Sequence, residues 1–245
     1  MPDRAEDISI QGPSGDVPAF AAVPDGPARG GIVVIQEAFG LTGHIKSICN
    51  RLADAGWTAV APALFHRSSA PAPVFEYDDF EGLMPVMGSL TADGLTSDVD
   101  AAFSELERRG ITAEQSGIVG FCMGGSVTLA TAARKAVGAA VTFYGGGLAQ
   151  GRFGYPALLS LGSSIRTPWL GLFGDRDQGI PAQQVERLRV AAESAPVPTE
   201  IVRYPDAQHG FNCDDRPAVY NEAAASDAWR RTLAWFDNYC QANNK

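Results

Sequence analysis

"IVGFCMGGSV", residues 118–127, decides how the rest of the chain is read. An apolar run reaches Gly120, a cysteine follows at position 122, and Gly124-Gly125 leads into helix-compatible residues. The stretch Gly120-Phe121-Cys122-Met123-Gly124 fits G-x-nucleophile-x-G between a strand and a helix, where small neighbours let the chain bend sharply and display the central side chain. A helix beginning at Met123 aims its N-terminal N–H groups and positive dipole end at the thiol, which favours thiolate. Taken alone, the pentapeptide has a plainer reading: a turn built for close packing around an inert buried cysteine.

The surrounding chain supplies the context that the elbow needs. Before it, "DISIQ" (7–11) and "VPAFAAVP" (17–24) flank a Gly/Pro/Ser turn and predict an opening hairpin, and "GGIVVIQE" (30–37) predicts a buried strand. Ile45, Ile48, Leu52 and Ala55 recur at helical spacing and stop at Gly56, after which "TAVAPAL" (58–64) is extended again. Residues 66–90 are rich in Pro, Gly and Ser without one clear period, which predicts a loop-rich insertion. A helix through 96–110, with Ser97 or Thr96 near its N-cap, leads into the elbow strand. After the elbow come a strand at 139–146, a strand at 168–177, a helix at 181–195, a strand at 199–210 and a closing helix around 227–240. This alternation predicts one α/β domain over residues 1–245, with a mostly parallel central sheet and helices on both faces.

In such sheets the ligand-binding residues stand where loops leave the carboxyl ends of the strands. Asp177 falls just after the strand "PWLGLFG", with Asp175 two residues earlier as a competitor, and His209 falls just after "TEIVRYP". The order nucleophile, acid, histidine is the one an α/β-hydrolase sheet imposes. Of the three histidines, His44 opens a helix and His66 lies in the insertion, which leaves His209 as the base.

Composition removes several function classes. A formal charge of −9 with no Lys/Arg run repels phosphate backbones and anionic lipid, so nucleic acid and membranes are not expected partners. The polar, acidic start carries no secretory pattern and no stretch reaches the length of a membrane span, so a cytoplasmic protein is expected. Four scattered cysteines lack metal-site and disulfide-framework spacing, and "GFCMGGS" lacks the G-x-G-x-x-G of a dinucleotide loop. Neither metal nor organic cofactor is expected.

Four ordered stretches sharpen this reading: "QEAFG" (36–40), "GFCMGG" (120–125), "DRDQGIP" (175–181) and "HGFNCDDRP" (209–217). Together they resemble the dienelactone hydrolase family of α/β-hydrolases, over roughly residues 8–240. The resemblance implies a triad of Cys122, Asp177 and His209, and it implies that Glu37 holds the resting thiol and helps generate thiolate when substrate displaces it. A carboxylate capping the turn is the alternative role for Glu37. The resemblance also implies an oxyanion hole formed by the backbone N–H groups of Met123 and Ala38.

The implied activity is cysteine-dependent hydrolysis of a carboxylic ester or lactone through a thioester, with a small molecule as partner and the chain a monomer or small homo-oligomer. Alternatives are a broad aryl esterase with promiscuous phosphotriester hydrolysis, an acyltransferase or thioester-processing enzyme on the same triad, and a non-catalytic binding or thiol-redox protein. Family members that act on dienelactone bind its carboxylate with arginines, one of them four residues after the histidine. Here that position is Cys213, and no arginine lies from Ser68 through Ala102. Arg67 and Arg216 remain as candidate substrate cations, and Phe39, Tyr144 and Phe211 as apolar lining. Beside Asp214 and Asp215, Arg216 also reads as a surface ion pair.

Overall fold

The computed structural model describes residues 4–13 and 15–241. The first three residues of the polar start and Ser14 of the predicted opening turn lie outside them. Eight strands form one sheet in the order β1-β2-β4-β3-β5-β6-β7-β8. β1 (Ala5–Gly12) and β2 (Gly15–Ala22) make the expected antiparallel hairpin, and β2 continues antiparallel onto β4 (Thr58–Pro62). From β4 through β3 (Gly31–Ile35), β5 (Ser116–Phe121), β6 (Ala139–Phe143), β7 (Trp169–Gly174) and β8 (Thr199–Tyr204), every pairing is parallel. β3 to β7 are buried at every position, which requires cover on both faces and explains their continuous apolar runs.

The cover comes from α1 (Gly43–Asp54), α2 (Phe80–Gly88), α3 (Ala92–Arg108), α4 (Met123–Arg134), α5 (Ala182–Ala192) and α6 (Glu222–Tyr239). Two adjacent residues of β3 show that the helices divide between the faces. Gly31 faces Leu106 of α3, which a Cβ there would meet at 2.6 Å. Its successor Ile32 pairs with Gly117, whose own Cβ would meet Phe236 of α6 at 3.1 Å. Successive strand residues point to opposite faces, so α3 and α6 cover opposite sides.

Two boundaries differ from those expected. α3 starts at Ala92, capped by Thr91 whose Oγ1 accepts from the Gly94 N–H at 3.2 Å, not near Thr96 or Ser97. Gly94 looks like a breaker in sequence, yet burial of Leu95 pins the extra turn. Residues 66–90 contain α2, which sequence periodicity misses because only Leu83 of it is buried and Pro85 sits inside it. The segment is tied down by the Phe75 N–H donating to the Phe39 carbonyl (2.9 Å) and by Arg67 and His66 on the buried carboxylate of Asp98. Among the described residues, no helix is long and apolar enough to cross a membrane.

Candidate active site

Cys122 stands between β5 and α4 with φ 54° and ψ −113°, a conformation that costs a non-glycine residue roughly 1–3 kcal/mol and persists only where neighbours enforce it. The neighbours are backbone. A Cβ on Gly120 would lie 2.1 Å from the Gly124 carbonyl oxygen, and one on Gly124 would lie 2.4 Å and 2.5 Å from those of Ile35 and Gln36. The glycines therefore do two things: they let the elbow close on itself, and they let it press against the end of β3. Gly124→Ala should separate these two segments, lowering stability by about 1–3 kcal/mol in a denaturant titration. It should cost more activity than the loss of folded protein explains, because the β3 turn carries part of the site.

Of the four cysteines, Cys122 alone is partly exposed. Burial pushes the thiols of Cys49 and Cys213 up to about 12 and that of Cys240 higher still, which keeps them protonated. Cys122 faces His209 closely enough to act on it both as a charge and as a hydrogen-bonding group. On its other side, His209 Nδ1 lies 2.6 Å from Asp177 Oδ2, while Asp177 Oδ1 accepts from the N–H groups of Gly179 (2.8 Å) and Ile180 (3.1 Å). Asp177 is buried and so fixed as acceptor. Burial pulls the His209 pKa down, but the Cys122 charge, the hydrogen bonds to Asp177 and Cys122, and the Asp177 charge together outweigh it and raise the group to about 10.

Residues 32 apart meet because the loops after β7 and β8 are zipped together. The N–H groups of Asp175 and Arg176 donate to the carbonyls of Tyr204 (2.9 Å) and Ala207 (2.9 Å), and Gly174 lies so close to Ala207 that a Cβ would fall 2.3 Å from its oxygen. Asp175, the competitor in sequence, holds Arg203 at 2.6 Å instead.

Glu37 and Gly40 form an isolated bridge that makes a tight turn after β3, with Gly40 at φ 92°. Ala38 and Phe39 form its tip. The Ala38 N–H, and that of Met123 at the first position of α4, have no backbone acceptor among the described residues. Glu37 is buried, and its Oε1 accepts from the Tyr144 hydroxyl at 3.1 Å while Oε2 has no hydrogen-bond partner. Its carboxylate is therefore parked on tyrosine, while Cys122 has His209 as its neighbour. Tyr144 itself sits at φ 39°, with its ring 5.1 Å from the His209 ring.

This relocates several candidates. Tyr144 is fully buried with its hydroxyl on Glu37, and Phe211 is fully buried against Tyr144, Phe143 and Tyr204, so both belong to the wall behind the site and not to an open lining. Arg67 is spent on Asp98, at 2.5 and 2.7 Å, and lines a small separate cavity with Leu64 and Leu90. Arg216 does reach the site, but not as an ion pair with Asp214 or Asp215. Its guanidinium lies over the rings of Phe39 (5.4 Å) and Tyr77 (5.5 Å). It borders a cleft of about 880 Å³ that is also lined by His209, Asp177 and the loop from Gly146 to Arg152. That loop gave no signal in the sequence. Among the described residues, no group of three or more His, Cys, Asp or Glu side chains is arranged to hold a metal ion.

The arrangement matches known proteins over nearly the whole chain. The profile of the dienelactone hydrolase family matches residues 17–240. The "Putative carboxymethylenebutenolidase" of Salmonella typhimurium is 38% identical over 240 residues, covering 94% of this chain and 86% of that protein. A crystal structure named "Putative Dienelactone Hydrolase", from Klebsiella pneumoniae, superposes with a TM-score of 0.86 at 36% identity, covering 96% of this chain and 98% of that one. A dienelactone hydrolase-like promiscuous phosphotriesterase from metagenomic libraries shares the fold at TM-score 0.76 and 21% identity, over 96% of this chain and 98% of that one. The parallel sheet, the elbow and these matches agree, and the chain belongs to the dienelactone hydrolase family of α/β-hydrolases, an ester and lactone hydrolase by descent.

Proposed function

We propose that the chain hydrolyses a carboxylic ester or lactone through a thioester on Cys122, with His209 as proton carrier and Asp177 as the group that orients it. The observation that carries this reading is the continuous relay Cys122–His209–Asp177, built on three separate strand ends and anchored at the far end by two backbone N–H groups. Cys122 as thiolate attacks the carbonyl carbon, forming the S–C bond while the carbonyl π pair moves onto oxygen. That oxygen is met by the N–H groups of Met123 and Ala38, a donor pair in which each partner is worth about 3 kcal/mol to the tetrahedral state. Collapse expels the alkoxide, which takes the proton from the His209 imidazolium. Water, deprotonated by His209, then cleaves the thioester.

Glu37 is given a different resting state from the one the family resemblance implies. With its Oε1 on Tyr144, it holds no thiol proton, and its second oxygen faces the interior unpaired. An unpartnered buried carboxylate oxygen is costly, so the arrangement is one that a rotation toward Cys122 would relieve. Phe39 carries Arg216, which lines the cleft, over its ring.

The His209 shift gives the reading a test with a definite sign. Its ordinary value is 6.5 and its folded value about 10, so between those limits the folded chain keeps a proton that the unfolded chain has lost. The stabilising contribution of the charged histidine is complete below about pH 6.5 and disappears as pH rises through about 10. For an alkyl ester, whose departing alkoxide needs the imidazolium proton, kcat/KM should hold through neutral pH and decline only near pH 10. A decline centred near 6.5 would mean that His209 is an unpaired base and would overturn the thiolate–imidazolium pair.

A further inference from the structure

His44 is a buried titratable side chain that the proposed chemistry does not use, and it stands where three segments of the site come together. It is the second residue of α1, which begins directly after the turn that presents the Ala38 N–H. The Thr42 N–H donates to the Gly40 carbonyl at 2.9 Å, and Thr42 then caps the helix. The His44 ring packs edge-on against Phe121, the residue before Cys122, with centroids 6.2 Å apart. Its Nδ1 lies 2.8 Å from Oδ1 of Asp214, 170 positions away in the loop that follows His209.

The direction of that bond follows from the carboxyl. Partial burial pushes Asp214 up, but the hydrogen bond from His44 and the positive charge of Arg51 are among the effects that outweigh it and hold the group below its ordinary value. A carboxylate only accepts, so Nδ1 carries the hydrogen. The chain between His209 and Asp214 transmits the restraint. Residues 210–213 are buried, the Cys213 N–H donates to the Gly210 carbonyl (2.9 Å) and the Arg216 N–H to the Cys213 carbonyl (3.1 Å). Asp215 reaches the same helix start, with Oδ2 3.9 Å from where a Cβ on Gly43 would stand.

Packing alone does not account for a histidine here. Its side chain is 1% exposed, and its Nε2 has no hydrogen-bond partner among the described residues. An imidazole buried with an unpaired nitrogen carries a desolvation cost that a leucine would not. Asp214, whose side chain is 57% exposed, has water as an alternative partner, so the pair adds little stability. What the bond does supply is a fixed distance between two walls of the site.

We propose that His44 is a positioning residue for the hydrolytic reaction: by holding Asp214 it sets the separation between the loop that carries His209 and the turn that presents the Ala38 N–H. This rests on the Cys122–His209 reading, with Ala38 as an oxyanion donor. His209 is fixed independently by Asp177, and the loops after β7 and β8 are zipped to each other, so loss of the bond frees the start of α1 and the turn ahead of it. The tetrahedral oxygen then loses part of one donor while the thiolate–imidazolium pair stays intact. Such a misplacement lowers kcat and leaves KM nearly unchanged, because the oxygen is charged only in the tetrahedral state.

The test compares His44→Leu, which removes the bond, with His44→Asn, whose amide nitrogen takes the place of Nδ1 and restores it. kcat and KM for a 4-nitrophenyl ester are normalised to folded enzyme from a denaturant titration. His44→Leu should lower kcat by about 10-fold to 100-fold. Its KM, and its rate of Cys122 alkylation by iodoacetamide at pH 7, should stay within about 2-fold of wild type. His44→Asn should recover most of the lost kcat. Asp214→Ala removes the same bond from an exposed position, so it should show the same loss of kcat even if His44→Leu fails to fold. A wild-type kcat in His44→Leu or in Asp214→Ala overturns the proposal. So does a His44→Asn variant no faster than His44→Leu, or alkylation that slows in parallel with kcat. Turnover retained in Cys122→Ala is a different failure, that of the nucleophile assignment.

Discussion

Cys122→Ala is expected to lower kcat/KM for a 4-nitrophenyl ester by about 10⁴-fold or more while leaving the thermal midpoint nearly unchanged. Removing one member of such a relay removes the covalent pathway and leaves only what oxyanion stabilisation and binding provide. The fold should tolerate the change because the elbow is enforced by backbone contacts at Gly120, Gly124 and Gly125, not by the thiol. Cys122→Ser should recover little, since a neighbouring histidine does not ionise a hydroxyl as it can a thiol. Turnover retained in the alanine variant would remove Cys122 as nucleophile.

His209→Gln is expected to have the second largest effect, about 10³-fold to 10⁴-fold in kcat/KM, and it should also slow alkylation of Cys122 by iodoacetamide at pH 7 by about 10-fold or more. The second readout separates a proton carrier from a merely structural residue. Without a neighbouring imidazolium, a cysteine loses the positive charge that favours its reactive thiolate form. Alkylation at the wild-type rate would show that the thiolate owes its stability to the start of α4 alone. Asp177→Asn should act in the same direction, because the carboxylate that receives Nδ1–H at 2.6 Å would be replaced by a group able to present a donor.

Much of this site is legible in the sequence, for identifiable reasons. Cys122, Asp177 and His209 are each placed by a strand end, and a parallel sheet aligns those ends whatever the loops do. The elbow glycines are legible because only glycine fits where a carbonyl oxygen lies within 2.5 Å of the missing Cβ. The parts that depend on loop paths are not legible. Tyr144 looks like pocket lining in sequence and turns inward onto Glu37, because its positive φ redirects the side chain, and no residue type announces that in advance. Arg67 looks like a spare cation, but a buried aspartate 31 positions away claims it. Arg152 gives no signal at all, since its place in the wall of the cleft that His209 also lines depends on close packing against the glycines at 146 and 147. α2 is hidden for a thermodynamic reason: a helix with a single buried side chain has no apolar stripe to read.

The most direct test of the account is intact-protein mass spectrometry of enzyme mixed with a slowly hydrolysed aryl ester and quenched in acid within one turnover. The account predicts a mass gain equal to the acyl group, located on the peptide that contains Cys122, lost on treatment with hydroxylamine and missing from Cys122→Ala. Product release with no acyl adduct on Cys122 under conditions that trap thioesters, or an adduct on another residue, would contradict it.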